Sequence, residues 1–242
     1  MSHKMLFLKF QPRKKLLLMN QSYNKAADDF GKRNSRLGRI TLLVAVLWLS
    51  AIVTSMAFIL RYSNSPGRTG GTPLHWPAGS RIALDVNRPT LIMFAHPHCP
   101  CTRASIGELD QLMANRKGQF RAQVWSVKSV GTPEDWTDTD LWHKAAAIPG
   151  VTVHRDDNGV EARRFQAETS SQTLLYDQNG QLLFHGGITI SRGHAGDNPG
   201  LSALEALQEH KSLYLAQTAV FGCPLFTAFT NHSQTGSVLC KQ

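Results

Sequence analysis

The chain has 242 residues, 42% of them hydrophobic, four cysteines and a formal charge of +9. That length holds one core of ordinary size with extensions and leaves little room for two full domains. The charge is local: ten of the 26 Lys/Arg fall in residues 1–39 against Asp28 and Asp29, leaving 16 bases against 15 acids in the rest. With no interleaving of aromatic and basic residues, a nucleic-acid partner is not expected.

The basic tail, 1–39, opens with "MLFLKFQPRKKLLLMN", whose mixture of apolar and basic side chains suits an anionic leaflet surface, unless the true start is Met19 rather than Met1. Ile40 to Leu60, "ITLLVAVLWLSAIVTSMAFIL", then contains no charged residue. At 1.5 Å per residue it spans roughly 31 Å, about the hydrocarbon thickness of a bilayer, so a transmembrane helix is predicted over 40–60. Arg33, Arg36 and Arg39 precede it and only Arg61 and Arg68 follow closely. The positive-inside rule therefore keeps the tail cytoplasmic and sends the rest across the inner membrane, to a periplasmic or extracellular location. A cleavable signal would use "SMA" at Ser55–Ala57, but its apolar and basic regions would be long for one, so an uncleaved anchor is expected.

Residues 61–80, rich in Gly, Pro and Ser, read as a linker, and a folded domain is expected over 81–216. Thr90–Ala95, "TLIMFA", has the short apolar run of a buried strand, and the apolar spacing from Thr102 to Arg116 is helical. Ala122–Val127 is a second strand, and Asp138–Ile148 a second helix capped by Asp138 or Thr139. Val151–Asp156 is a short strand and Gly159–Phe165 one or two helical turns. Thr173–Gly187 reads as a hairpin turning at Gln178-Asn179-Gly180, since Asn-Gly accepts positive φ. Gly200–Ala216 follows as an amphipathic helix, with 217–242 as a C-terminal extension. This order predicts an α/β fold: a mixed sheet flanked by helices.

The chemistry is concentrated in "FAHPHCPCTRASIGEL", residues 94–109. Cys99 falls between the end of a central strand and the start of a helix, where unpaired N–H groups and the helix dipole favour a thiolate. Arg103 in the first turn is expected to add to this. The segment 191–200, "SRGHAGDNPG", follows a strand and precedes a helix, so its backbone could hold an anion; it lacks nucleotide-binding spacing, and Arg192 and His194 are expected to line the crevice near the cysteines. His75, His143, His154 and His210 read as surface or boundary residues.

The spacing of Phe94 to Cys99, the helix after it and the later hairpin resemble the thioredoxin-like superfamily over about 81–216, in particular its membrane-anchored, exported members. More narrowly, "HPHCPCTRAS", "GGITISRGHAGDNPG" and "VFGCPL" look like the RedB-like group of bacterial membrane proteins. The resemblance implies a thioredoxin-like fold, with Cys99 as the cysteine that attacks a disulfide. Two positions depart from the superfamily. The dithiol is Cys99-Pro100-Cys101 in place of C-x-x-C, and Gln172 stands where thioredoxins carry a cis-proline. A peroxiredoxin would carry Thr where His96 stands.

Three functions follow. A thiol-disulfide oxidoreductase or redox partner would use Cys99 as nucleophile, Cys101 or Cys223 to resolve the mixed disulfide, a thiol or disulfide protein as partner and no cofactor. A copper-binding or copper-delivery protein would take His96, His98, Cys99 and Cys101 as ligands, with His185 or His194 as further donors, because thiolate and imidazole suit copper. The "PHCP" here resembles the "THCP" of exported Sco copper chaperones. A non-catalytic interaction module would use its cysteines as staples, Cys223 with Cys240 among them, which the loop-entropy model values at roughly 3 kcal/mol.

Overall fold

A computed structural model describes residues 12–208 and 216–226. The chain divides into two compact units, Met1–Ile59 and Leu60–Gln242. Helix α1 runs Pro12–Ser63, and its stretch Gly38–Ser63 is long and apolar enough to cross a membrane, with none of it buried. The uncharged run 40–60 within it supplies that length and apolarity.

The second unit is built on one six-stranded sheet. The elements are β1 (Thr90–Ala95), α2 (Thr102–Asn115), β2 (Arg121–Lys128), α3 (Asp140–Ala146), β3 (Val151–Asp157), α4 (Val160–Arg164), β4 (Gln172–Tyr176), β5 (Leu182–Gly186), α5 (Pro199–Gln208) and β6 (Ala216–Gln217). The spatial order is β3-β2-β1-β4-β5-β6. β1 and β2 are parallel, as are β2 and β3, whereas β4 runs antiparallel to both β1 and β5. Thr139 caps α3, accepting the Trp142 N–H at 3.4 Å.

Alternation along the central strands makes two cores, one on each face. Leu91, Met93 and Ala95 meet Ile106, Leu109 and Leu112 of α2 with Leu141 and Leu204. Ile92 and Phe94 face the other way and pack with Trp125, Leu174, Tyr176 and Phe165. The hairpin turns where expected, with Gly180 at φ 76°.

Two segments without helical or strand pattern are packed into the domain. Residues 64–80, expected as a linker, lie along the second face. Pro73 O accepts the Tyr176 hydroxyl at 2.8 Å, Trp76 N–H donates to Gly180 O at 2.7 Å, and the Trp76 ring meets Phe165 and Tyr176 edge-on at 5.2 Å. Gln172, fully buried, donates to Thr69 O at 2.7 Å, so its amide holds this strap. At the other end α5 is described over Pro199–Gln208, and Ala216 belongs to β6, which pairs in parallel with β5. The helix expected through Ala216 does not include that residue, which joins the sheet edge; 209–215 lie outside the described residues. Residues 218–226 then return over the domain. Val220 O accepts Gly67 N–H at 2.8 Å, and Cys223 O accepts Ser170 N–H at 2.8 Å. Cys240 and His210 lie outside the described residues, as does a Cys223–Cys240 pairing.

Candidate functional site

Three cysteines from two distant segments converge at the end of β1. β1 delivers the chain to Ala95, and a tight turn follows in which Cys99 N–H donates to His96 O at 3.1 Å. Cys101 then takes the N-cap position of α2 in helical geometry. Cys99 is 0% exposed, Cys101 8% and Cys223 8%, and the three form their own cluster apart from both cores. Cys223 arrives on the returning segment, with its N–H directed at the Cys99 sulfur at 3.4 Å.

Hydroxyl groups lock these segments together. Thr102 Oγ1 lies 2.7 Å from Ser170 Oγ and accepts from Ser171 Oγ at 3.1 Å. Ser170 Oγ accepts the His96 N–H at 2.8 Å, while its own N–H holds Cys223 O. Ser171 has φ 72°, a left-handed conformation uncommon for a non-glycine residue, and donates its N–H to Phe94 O at 2.7 Å. The next residue, Gln172, opens β4. The fit of the returning segment depends on Gly222, since a Cβ there would collide with Ser170 O.

The electrostatics single out Cys99. A hydrogen bond from the Cys101 thiol lowers its pKa most, followed by one from the Cys223 thiol; burial opposes this, and the Thr102 hydroxyl and Cys223 N–H add to the lowering. The result is far below the ordinary cysteine range. Cys101 moves the opposite way, mainly because its proton is committed to Cys99 and secondarily because it is buried, with the Arg192 guanidinium partly offsetting both. The pair is therefore one thiolate and one thiol, with the charge on Cys99.

Arg103 is placed otherwise than its first-turn position suggested. Its guanidinium pairs with Asp140 at 2.5 Å, and it is not among the largest influences on Cys99. Arg192 is the arginine at the site. It bonds the Cys101 sulfur, donates to Gly222 O at 2.5 Å and lies over the Tyr62 ring at 5.0 Å.

The residues weighed as a copper site are not gathered. His98 turns its Nε2 to Trp136 O at 3.1 Å and lies tilted against that indole, with ring centroids 4.1 Å apart. His96 receives the His98 N–H on Nδ1 at 3.2 Å, and burial holds its pKa below the usual value. His194 is exposed, bonded to Arg192 O, and His185 lies in β5. Among the described residues no three His, Cys, Asp or Glu side chains are grouped to hold a metal ion.

The Gly-rich segment 191–200 is engaged by a carboxyl group of the chain itself. Glu108, fully buried on α2, accepts the Gly196 N–H at 2.6 Å and the Asn198 amide at 3.5 Å. Glu108→Ala is expected to destabilise the domain by on the order of 2 kcal/mol by stranding these donors. Urea unfolding followed by tryptophan fluorescence measures it; Glu108→Gln should lose less.

The chain matches no family model and no curated protein. Among solved structures, an uncharacterized conserved protein from Geobacillus kaustophilus is similar with a TM-score of 0.51 at 19% identity, over 69% of this chain and 94% of its own. A hypothetical protein from Sinorhizobium meliloti has a TM-score of 0.50 at 18% identity, over 69% and 98%. A thioredoxin-like protein from Aeropyrum pernix is more distant, with a TM-score of 0.39 at 16% identity over 66% and 97%. At these identities the likeness concerns the fold alone. The parallel β1-α2-β2 unit, with the antiparallel β4-β5 hairpin on its other side and the helix after it, is the topology that the thioredoxin-like resemblance of the sequence implies. The fold is thioredoxin-like. In this thioredoxin-like domain Cys99 and Cys101 lie close together at the start of α2, and their sulfurs share a hydrogen bond.

Proposed function

We propose that this protein is a membrane-anchored thiol-disulfide oxidoreductase of the RedB-like kind. Its tail is cytoplasmic, and its thioredoxin-like domain works outside the inner membrane on a disulfide-bearing partner. The observation that carries the reading is the convergence of three cysteines on one sulfur, Cys99, which the other two stabilise as a thiolate. An oxidising compartment, where disulfides persist, is the setting in which such a site has substrates.

The chemistry balances as follows. The Cys99 thiolate attacks one sulfur of the partner disulfide, forming a mixed disulfide and releasing the other partner sulfur as a thiolate that takes up a proton. Cys223, after losing its proton, attacks the Cys99 sulfur. A Cys99–Cys223 bond forms and the second partner sulfur leaves. The partner gains two electrons from the protein and two protons, one that Cys223 gave up and one from solvent, since Cys99 began as a thiolate. Cys223 is assigned the second attack because it meets Cys99 from a separate segment. Cys101 is held by the turn into α2, where Ala104 N–H bonds its carbonyl at 3.2 Å, and bridging it to Cys99 would close a strained ring across one residue. A thiol at the outer end of an electron-donating pathway must return the protein to its dithiol form.

The test is reduction of a fluorescent peptide disulfide by the full-length protein in detergent, with dithiothreitol as the regenerating reductant. Turnover is expected; a protein that folds, keeps its dithiol and shows no exchange contradicts the reading and leaves an interaction module. Topology has its own check. A reporter enzyme active only outside the cytoplasm, fused to the C-terminus of the full chain, should be active, and silence would refute the orientation.

A further inference from the structure

Attack by Cys99 needs a substrate sulfur brought up against it, yet Cys99 is fully buried. The cysteine cluster around it is built from two stretches of chain. The first is its own turn, where Thr102 N–H bonds Cys99 O at 3.1 Å and Cys101 takes the N-cap of α2. This stretch is fixed by the helix, and by Thr102 Oγ1 lying 2.7 Å from Ser170 Oγ. The second stretch, 221–224, belongs to no helix or strand and brings Cys223, whose N–H points at the Cys99 sulfur at 3.4 Å.

The second stretch is anchored at its two ends. Val220 and Leu225 are buried at 0% and 1% exposure, Leu225 within the core of the second face. Val220 O accepts the Gly67 N–H and Leu225 N–H donates to Glu168 O, both at 2.8 Å. Between these anchors Cys223 O accepts the Ser170 N–H at 2.8 Å, and Gly222 O accepts the Arg192 guanidinium at 2.5 Å. Such bonds each weigh a population by up to about tenfold. A short loop held in this way can lift while its anchors and the sheet stay in place. Gly222 sets how the loop seats, because a Cβ there would collide with the backbone oxygen of Ser170.

We infer that 221–224 is a flap that gates Cys99, with Gly222 as the residue that positions it. The inference rests on the redox reading above. With the flap lifted, Cys99 meets the substrate disulfide and keeps Cys101, which lies on its own turn, as hydrogen-bond partner. Closing returns Cys223 to Cys99 for the second attack. One movement thus separates the two steps: the open flap admits the substrate and the closed flap expels it.

Alkylation of the reduced full-length protein by iodoacetamide, followed at Cys99 by peptide mass spectrometry, tests the gate without any disulfide. Gly222→Ala should speed it by about tenfold, since the added Cβ unseats the flap. In disulfide exchange the same variant should make the first attack and then hold the mixed disulfide several-fold longer. Protection of the β1 amides against hydrogen exchange shows whether the variant is folded, and unchanged Cys99 alkylation in a folded variant overturns the inference. Wild-type amides give a reading that needs no variant. Ser170 N–H is held by the flap at Cys223 O, whereas the adjacent Ser171 N–H is held by β1 at Phe94 O. Opening frees the first alone, so Ser170 should exchange about tenfold faster than Ser171 or more. Equal protection of the two overturns the flap. If the protein exchanges no disulfide while the alkylation and amide results are as expected, the redox reading fails and the gate over Cys99 stands.

Discussion

Cys99→Ser is expected to reduce disulfide exchange to the uncatalysed background, a loss on the order of a thousandfold or more, because Cys99 is the sulfur its neighbours stabilise as a thiolate while the Cys101 pKa is raised. The neighbours should fail differently. Cys223→Ser leaves the first attack possible and removes the second, so a mixed disulfide with the substrate should accumulate and be visible as a mass increase by electrophoresis. Cys101→Ala removes the strongest hydrogen bond to Cys99. It should slow the first attack at neutral pH while sparing release of the substrate. Exchange rates and trapped adducts across the three variants check this. Equal loss in Cys101→Ala and Cys223→Ser, with adducts in both, would remove the division of labour.

The second large effect is on pH dependence. Cys99 is depressed below its free value by the Cys101 thiol first and the Cys223 thiol second. At neutral pH the unfolded chain carries a proton on this sulfur that the reduced native protein has released. Unfolding then takes up a proton, so Cys99's contribution to stability grows as pH rises, is complete above the free value near about 8.5 and is lost as pH falls through the native pKa. Cys101 is raised and acts in the opposite sense: its contribution is present below about 8.5 and lost as pH rises through its native pKa. Subtracting the Cys99→Ala profile from that of reduced wild type should leave a difference that climbs through neutrality, with a slope of up to about 1.4 kcal/mol per pH unit. The ultraviolet absorbance of the thiolate should persist well below pH 8.5 in the wild type and vanish in Cys99→Ala. In Cys101→Ala its loss should move to higher pH. A flat difference profile, with absorbance lost near the free value, would contradict the assigned charge.

What the sequence disclosed follows the kind of signal each element carries. β1 coincides with the apolar run Thr90–Ala95, and the hairpin with its Asn-Gly turn, because strand burial and positive φ leave marks in residue type. β6 leaves none, since two residues joining an edge strand need only backbone groups. The same holds for 64–80. Gly, Pro and Ser read as a linker, yet Pro73, Leu74 and Trp76 bond the hairpin through the main chain. The helical spacing after Gly200 shows the reverse error at Ala216, which the structure places in β6.

The site divides similarly. The position of Cys99 and Cys101 between β1 and α2 is local and legible. The pairing of Arg103 with Asp140 is a contact between two helices, invisible to reasoning about the first turn of one. Ser170 gives no chemical cue, although it ties His96, Thr102 and the Cys223 carbonyl. Gln172 drew notice for the missing proline, but its amide serves the strap at Thr69, and the adjacent Ser170 and Ser171 shape the ground beside the cysteines. That 191–200 presents backbone N–H groups is readable; that the Glu108 carboxyl group accepts one of them is a long-range fact.

The central claim is that Cys99 attacks and Cys223 closes. Mass-spectrometric mapping of the protein after one equivalent of a disulfide substrate tests it most directly. A Cys99–Cys223 crosslink, with Cys101 alkylated by a later reagent, is the predicted product; Cys99 recovered as an unmodified thiol while the substrate remains intact would contradict the account.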